Sequence, residues 1–150
     1  MSLQNIIDTV NQWKDRLSWD DYFMSIAFLI SSRSTCSRLH VGCVLVKDTR
    51  IISVGYNGFL PKLPHQSYIR DGHEQATVHS EQNAITDCAK RGVSTDKSIC
   101  YVTHYPCINC CKMLCASGIN KVYYHTDYNN DPLVKKIFEM AKIVVIQVGN

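Results

Sequence analysis

The sequence has no long apolar run, no basic run and no low-complexity segment. No stretch approaches the roughly 20 apolar residues of a membrane span, so a membrane protein is not expected. Lysines and arginines are scattered, with no run longer than Lys135-Lys136, and the formal net charge is only +3. That leaves no basic stripe to hold a nucleic-acid backbone. Met1 to Arg16 carries Asp8, Lys14, Asp15 and Arg16 and lacks the apolar core of a signal peptide. The expectation is a cytoplasmic protein. The 4 prolines and 7 glycines do not gather into a linker, and no repeat is visible. Residues 1–150 therefore read as a single domain, with 1–17 as a helical extension. The proportions of 45% hydrophobic and 19% charged residues are those of an ordinary globular chain.

Cysteine is the exception, with eight residues. A disulfide framework would need an oxidising compartment. Without an export signal, these cysteines are expected to be reduced, as metal ligands or small core residues.

Hydrophobic spacing gives a coarse outline. Residues 3–16 read as a short amphipathic helix. Ser18 with Asp21 makes a capping box for a second helix over 19–32. Residues 41–47 and 50–56 alternate as strands, with Asp48-Thr49 as a tight turn between them. A helix is expected over 79–91, stopping before Gly92, and a strand over 98–103. A further helix runs from Pro106 to before Gly118, and a strand covers 121–125. Asp131-Pro132 supplies an N-cap and a first-turn proline for a helix to about 141, and Ile143–Val148 closes as a strand. The second half is thus strand–helix–strand–helix–strand, which implies parallel pairing. Joined to the hairpin, it predicts an α/β fold, with a mixed five-stranded sheet and helices on both faces. The long irregular segment 59–78 is of the kind that usually carries function.

The strongest chemical signal is a pair of short motifs, His79-Ser80-Glu81 and Pro106-Cys107-Ile108-Asn109-Cys110. They supply three zinc ligands and a carboxylate that need not be one. A fourth coordination position stays open, as in catalytic rather than structural zinc sites. Cys107 and Cys110 fall on one side of a first helical turn, where the helix dipole favours thiolate. His79 and Glu81 are two residues apart and would diverge by about 200° along a helix. They converge only on something beyond the helix end. The metal is therefore expected between two helix N-termini, at the carboxyl ends of the strands. Zinc there would bring a water to a pKa near 7, and Glu81 would move its proton. The alternative is that Cys107, Cys110, Cys111 and Cys115 form a closed structural site or pack as core. Their confinement to one helix, with no second close pair, argues against it.

On these motifs the chain resembles the zinc-dependent nucleotide deaminases, whose signature is H-x-E followed by P-C-x-x-C. It is most similar to the deoxycytidylate (dCMP) deaminase branch, over about residues 18–148. The matching stretches are Arg33-Ser34-Thr35-Cys36, Val41-Gly42, Gly55-Tyr56-Asn57-Gly58, residues 78–84 and residues 101–107. The insertion between Gly58 and His79 also fits that branch. The resemblance implies the three-layer α/β/α cytidine-deaminase-like fold. It implies catalytic zinc on His79, Cys107 and Cys110, with Glu81 as proton shuttle. Water would add at C4 of the cytosine ring, Glu81 would protonate N3 and the departing amino group, and the products would be dUMP, for dTMP synthesis, and ammonia. Asn57 would bond the deoxyribose, Arg33 is a phosphate-contact candidate, and Tyr128 would pack over the nucleotide. A homohexamer with dCTP and dTTP as effectors is implied as well.

Two departures stand out. Ser80 replaces the alanine usual in the middle of H-x-E. Relatives often hold a second zinc on the R-S-T-C cysteine and on the insertion. Here Cys36, His65 and His73 are available for a second, structural zinc, while Gln66 and Glu74 stand where relatives can carry cysteine. Other readings to weigh are a dCTP deaminase, a free-cytidine deaminase, a polynucleotide editor and a non-catalytic zinc-binding module.

Overall fold

The computed structural model describes residues 2–128 and 131–149. Helix α1 (Leu3–Asn11) is followed by α2 (Trp19–Ser31), then strands β1 (Gly42–Lys47) and β2 (Arg50–Tyr56). After the insertion come α3 (Ser80–Arg91), β3 (Ile99–His104), α4 (Ile108–Ala116), β4 (Lys121–Thr126), α5 (Pro132–Met140) and β5 (Val144–Gln147). The five strands form one sheet in the order β2-β1-β3-β4-β5. β1 runs antiparallel to β2 and β3, while β3, β4 and β5 are parallel. This is the mixed sheet expected from the hairpin and the crossover unit.

Strand alternation splits the core into two layers. Val44, Val46, Tyr101 and Tyr123 face α2, meeting Phe23, Met24 and Ala27. Cys43, Leu45, Cys100, Val102 and Val122 face the other way, onto Ala84, Cys88, Cys111, Leu114, Val134 and Phe138 of α3, α4 and α5. Two glycines let helices approach the sheet. A Cβ on Gly42 would lie 1.9 Å from the Ala27 carbonyl oxygen, and one on Gly55 would lie 2.1 Å from the Ser80 carbonyl oxygen. Only glycine permits that closeness. The second contact seats the start of α3, and with it the first chemical motif, against β2.

The element ends differ from the sequence expectation by more than one residue in two places. α1 stops at Asn11 rather than continuing to 16; none of its residues is buried, so no packing extends it. α4 starts at Ile108, two residues beyond Pro106, with Cys107 as its N-cap. The Cys107 carbonyl accepts the first helical bond, from the Cys111 amide at 2.8 Å. The insertion is not wholly irregular. Gly58–Phe59 pairs with Thr77–Val78, and Ile69–Arg70 pairs with His73–Glu74, each as a two-residue antiparallel ladder. No described helix is long and apolar enough to cross a membrane.

Candidate metal centre and nucleotide pocket

His79 is the N-cap of α3, and Cys107 is the N-cap of α4. Both caps have extended backbone, which turns their side chains off the helix axis and toward each other. Cys110 sits one turn into α4. His79 Nδ1 lies 3.4 Å from Cys107 Sγ and 3.5 Å from Cys110 Sγ, and the three ligand atoms all fall within 4.8 Å of one another. Zinc bonds of about 2.05 Å to nitrogen and 2.3 Å to sulfur, at a tetrahedral angle, would separate N and S by about 3.6 Å. The donor set therefore fits a zinc ion that keeps a fourth position open.

The electrostatics prepare the same set. The hydrogen bond with Cys110, helped by His79, brings the Cys107 thiol down to about 4. The same bond, with burial, pushes the Cys110 thiol up. In the metal-free pair one sulfur thus holds the proton that the other has lost, and a metal ion displaces it. His79 is raised, chiefly by its bond with Cys107.

Glu81 is 4% exposed, and Ser80, at 0%, donates its hydroxyl to Glu81 Oε2 at 2.9 Å. Burial is the main reason that the Glu81 carboxyl is raised. A carboxylate with raised affinity for a proton, beside an open metal position, suits proton transfer near neutral pH. These groups open onto a cavity of about 600 Å³, which is also lined by Arg38, Asn57, His104, Tyr105 and Tyr128. A cavity of that size suits a small nucleotide.

The far wall is held differently. Asn57 is buried, and its carboxamide organises the 34–41 loop. Its Oδ1 accepts from Ser34 Oγ at 2.7 Å and from the Val41 amide at 2.8 Å, while Nδ2 donates to the Leu39 carbonyl at 2.7 Å. One amide N–H remains for a ligand, since the carboxamide carries two. Tyr128 lines the pocket 6.4 Å from the His104 ring, with its hydroxyl pushed up to about 12, mainly by burial. Arg33 is exposed at the end of α2 and is not among the residues lining the pocket. The lining cation is Arg38, whose Nη1 donates to the Gly72 carbonyl at 2.9 Å. The same loop carries both arginines, and sequence spacing does not fix the path of a loop. His104 lies within the 101–107 stretch, and its place at the end of β3 brings it to the pocket.

The second set of metal ligands does not assemble. Among the described residues, His79, Cys107 and Cys110 are the only group brought together as metal ligands, and Cys36, His65 and His73 do not form another. The His65 ring stacks on Phe59 at 5.0 Å. Glu74 organises the insertion instead. Its carboxylate accepts from the Tyr68 amide at 3.0 Å, the Ala76 amide at 2.7 Å and the Ser67 hydroxyl. A single carboxylate thus closes this turn.

The chain is similar to known proteins. The model of the cytidine and deoxycytidylate deaminase zinc-binding region matches residues 17–126. ComE operon protein 2 of Bacillus subtilis is 46% identical over 138 residues, covering 89% of this chain and 73% of that protein. Deoxycytidylate deaminase of Schizosaccharomyces pombe is 34% identical over 93% of this chain, which spans only 47% of the yeast protein. The crystal structure of dCMP deaminase from cyanophage S-TIM5, in complex with dCMP and dUMP, superposes with a TM-score of 0.80 at 30% identity. The match covers 89% of this chain and 99% of that one. With its open His–Cys–Cys centre and its buried glutamate, the chain belongs to the zinc-binding cytidine and deoxycytidylate deaminase family.

Proposed function

We propose that this protein hydrolyses the exocyclic amino group of dCMP, giving dUMP and ammonia. The observation that carries the reading is the buried Glu81 carboxylate beside the open His79, Cys107 and Cys110 donor set. Zinc, when bound, supplies an activated water at neutral pH. His79, Cys107 and Cys110 hold the metal. Glu81 carries protons to ring N3 and to the departing amino group, so that water adds at C4 and ammonia leaves. The Asn57 amide N–H serves the deoxyribose, and Tyr128 covers the nucleotide.

A phosphorylated substrate is favoured by Arg38, the one Lys or Arg among the described residues lining the pocket. We assign the 5′-phosphate to Arg38 in place of Arg33. The dCMP and dUMP bound by the cyanophage relative support the same substrate class. A homohexamer under dCTP and dTTP control belongs to the proposal. In its favour, α1 presents Leu3, Ile7 and Val10 to the surface, all exposed. A cytoplasmic enzyme supplying dUMP for dTMP synthesis is the matching role.

The deciding experiment compares initial rates of ammonia release from dCMP, dCTP, cytidine and a short RNA. The expected order has dCMP first by at least about ten-fold in kcat/KM, the scale of one charge-assisted hydrogen bond. Cytidine turned over as well as dCMP would overturn the phosphate assignment. Absence of ammonia from every substrate would favour a non-catalytic zinc-binding module.

A further inference from the structure

We propose that Ser80 is a positioning residue for deamination: its hydroxyl holds one oxygen of the Glu81 carboxylate and leaves the other to carry the proton. The inference rests on reading Glu81 as the proton carrier, and it starts from a buried polar pair. Ser80 and Glu81 are adjacent in the first turn of α3 and exposed by only 0% and 4%. Ser80 Oγ donates to Glu81 Oε2 at 2.9 Å. A buried hydroxyl has to find a partner, and this one has taken the reacting carboxylate.

Geometry makes the bond consequential. The terminal torsion of a glutamate is broad and roughly two-fold, so its two oxygens exchange places easily. A donor on Oε2 removes that equivalence. The backbone that carries the donor is seated tightly on the sheet, because the Ser80 carbonyl lies so near Gly55 that a Cβ there would come within 2.1 Å of it. Sheet, helix start, hydroxyl and carboxylate thus form one chain of contacts, and Ser80 and Glu81 both line the pocket. Proton transfer is sensitive to how the carboxylate is placed, with misplacement by about 1 Å costing on the order of a hundred-fold.

Two variants test the hydroxyl separately from its volume. Ser80→Ala removes the donor, and Ser80→Cys keeps the size with a poor donor. Both are expected to lower kcat on dCMP about ten-fold, the scale of one hydrogen bond to a charged group. KM should stay within about two-fold and zinc content at the parent value. The chain has three glutamates, Glu74, Glu81 and Glu139, so carboxyl-¹³C glutamate labelling gives three resolvable signals. Ser80→Ala should move one signal and leave two in place, in metal-free and zinc-loaded protein alike. Either variant with the parent kcat, a raised KM at constant kcat, or three unmoved carboxyl signals would overturn the proposal. If the parent itself released no ammonia, the functional reading would fail, while the carboxyl spectrum would still decide whether Ser80 holds Glu81.

Discussion

On one side of the pocket, His79, Glu81, Cys107 and Cys110 stand at the first residues of two helices whose bodies pack in the core. On the other side, residues 59–78 cross the surface with two short ladders and a carboxylate clasp at Glu74. The first wall gets its distances from helix starts seated on the sheet, down to the missing Cβ of Gly55. The second gets them from single side chains, such as Arg38 on the Gly72 carbonyl and Asn57 on the 34–41 loop. Metal binding and proton transfer tolerate little displacement, and the residues proposed for them sit at helix starts packed against the core. The phosphate contact proposed for Arg38 needs less, and it would fall to a loop.

If the walls differ in this way, substitutions should separate cleanly. The largest effect belongs to the metal side. Cys110→Ser should lower bound zinc and ammonia release together, by at least about a hundred-fold in activity; metal analysis beside the rate checks it, and full activity without zinc would break the contrast. Next comes the recognition side. Arg38→Ala should raise KM for dCMP about ten-fold while leaving kcat within about two-fold. Arg33→Ala should change neither, and steady-state kinetics on both variants would sharpen the assignment of the phosphate.

The smallest effect concerns how α3 is fastened. Asp87 accepts from Ser53 Oγ at 2.7 Å and from Arg91 at 2.6 Å, and chiefly because of Arg91 its carboxyl is lowered. The pair is more than one-third exposed, so Asp87→Asn should cost less than about 1 kcal/mol. Because the folded carboxyl is depressed, its contribution is present above the unfolded value of about 3.9 and fades as pH falls through the folded one. Thermal midpoints of parent and variant should differ slightly at pH 7 and converge in acid.

The same contrast explains what could be read from the sequence. His79, Glu81, Cys107 and Cys110 were legible because each occupies a fixed place near a helix start, where spacing determines direction. The mixed sheet followed from the alternation of the hairpin and the crossover pattern after it. The loop wall was not legible in that way. Arg33 and Arg38 share one irregular stretch, and only its folded path, pinned by Asn57, brings Arg38 to the pocket. Spacing likewise does not decide which of Cys36, His65 and His73 meet, because the path of the insertion, closed by Glu74 through the Tyr68 and Ala76 amides, places them. The hydrogen bond from Ser80 to Glu81 also needed coordinates, since serine in a helix start serves many ends.

The central claim is that Glu81, beside the His79–Cys107–Cys110 centre, moves the protons of dCMP deamination. Glu81→Gln keeps the shape of the side chain and removes its basicity. Measured together for parent and variant, zinc content should be equal, while ammonia release from dCMP should fall about 10²–10⁴-fold. A zinc-loaded Glu81→Gln protein that deaminates dCMP at the parent rate would contradict the account.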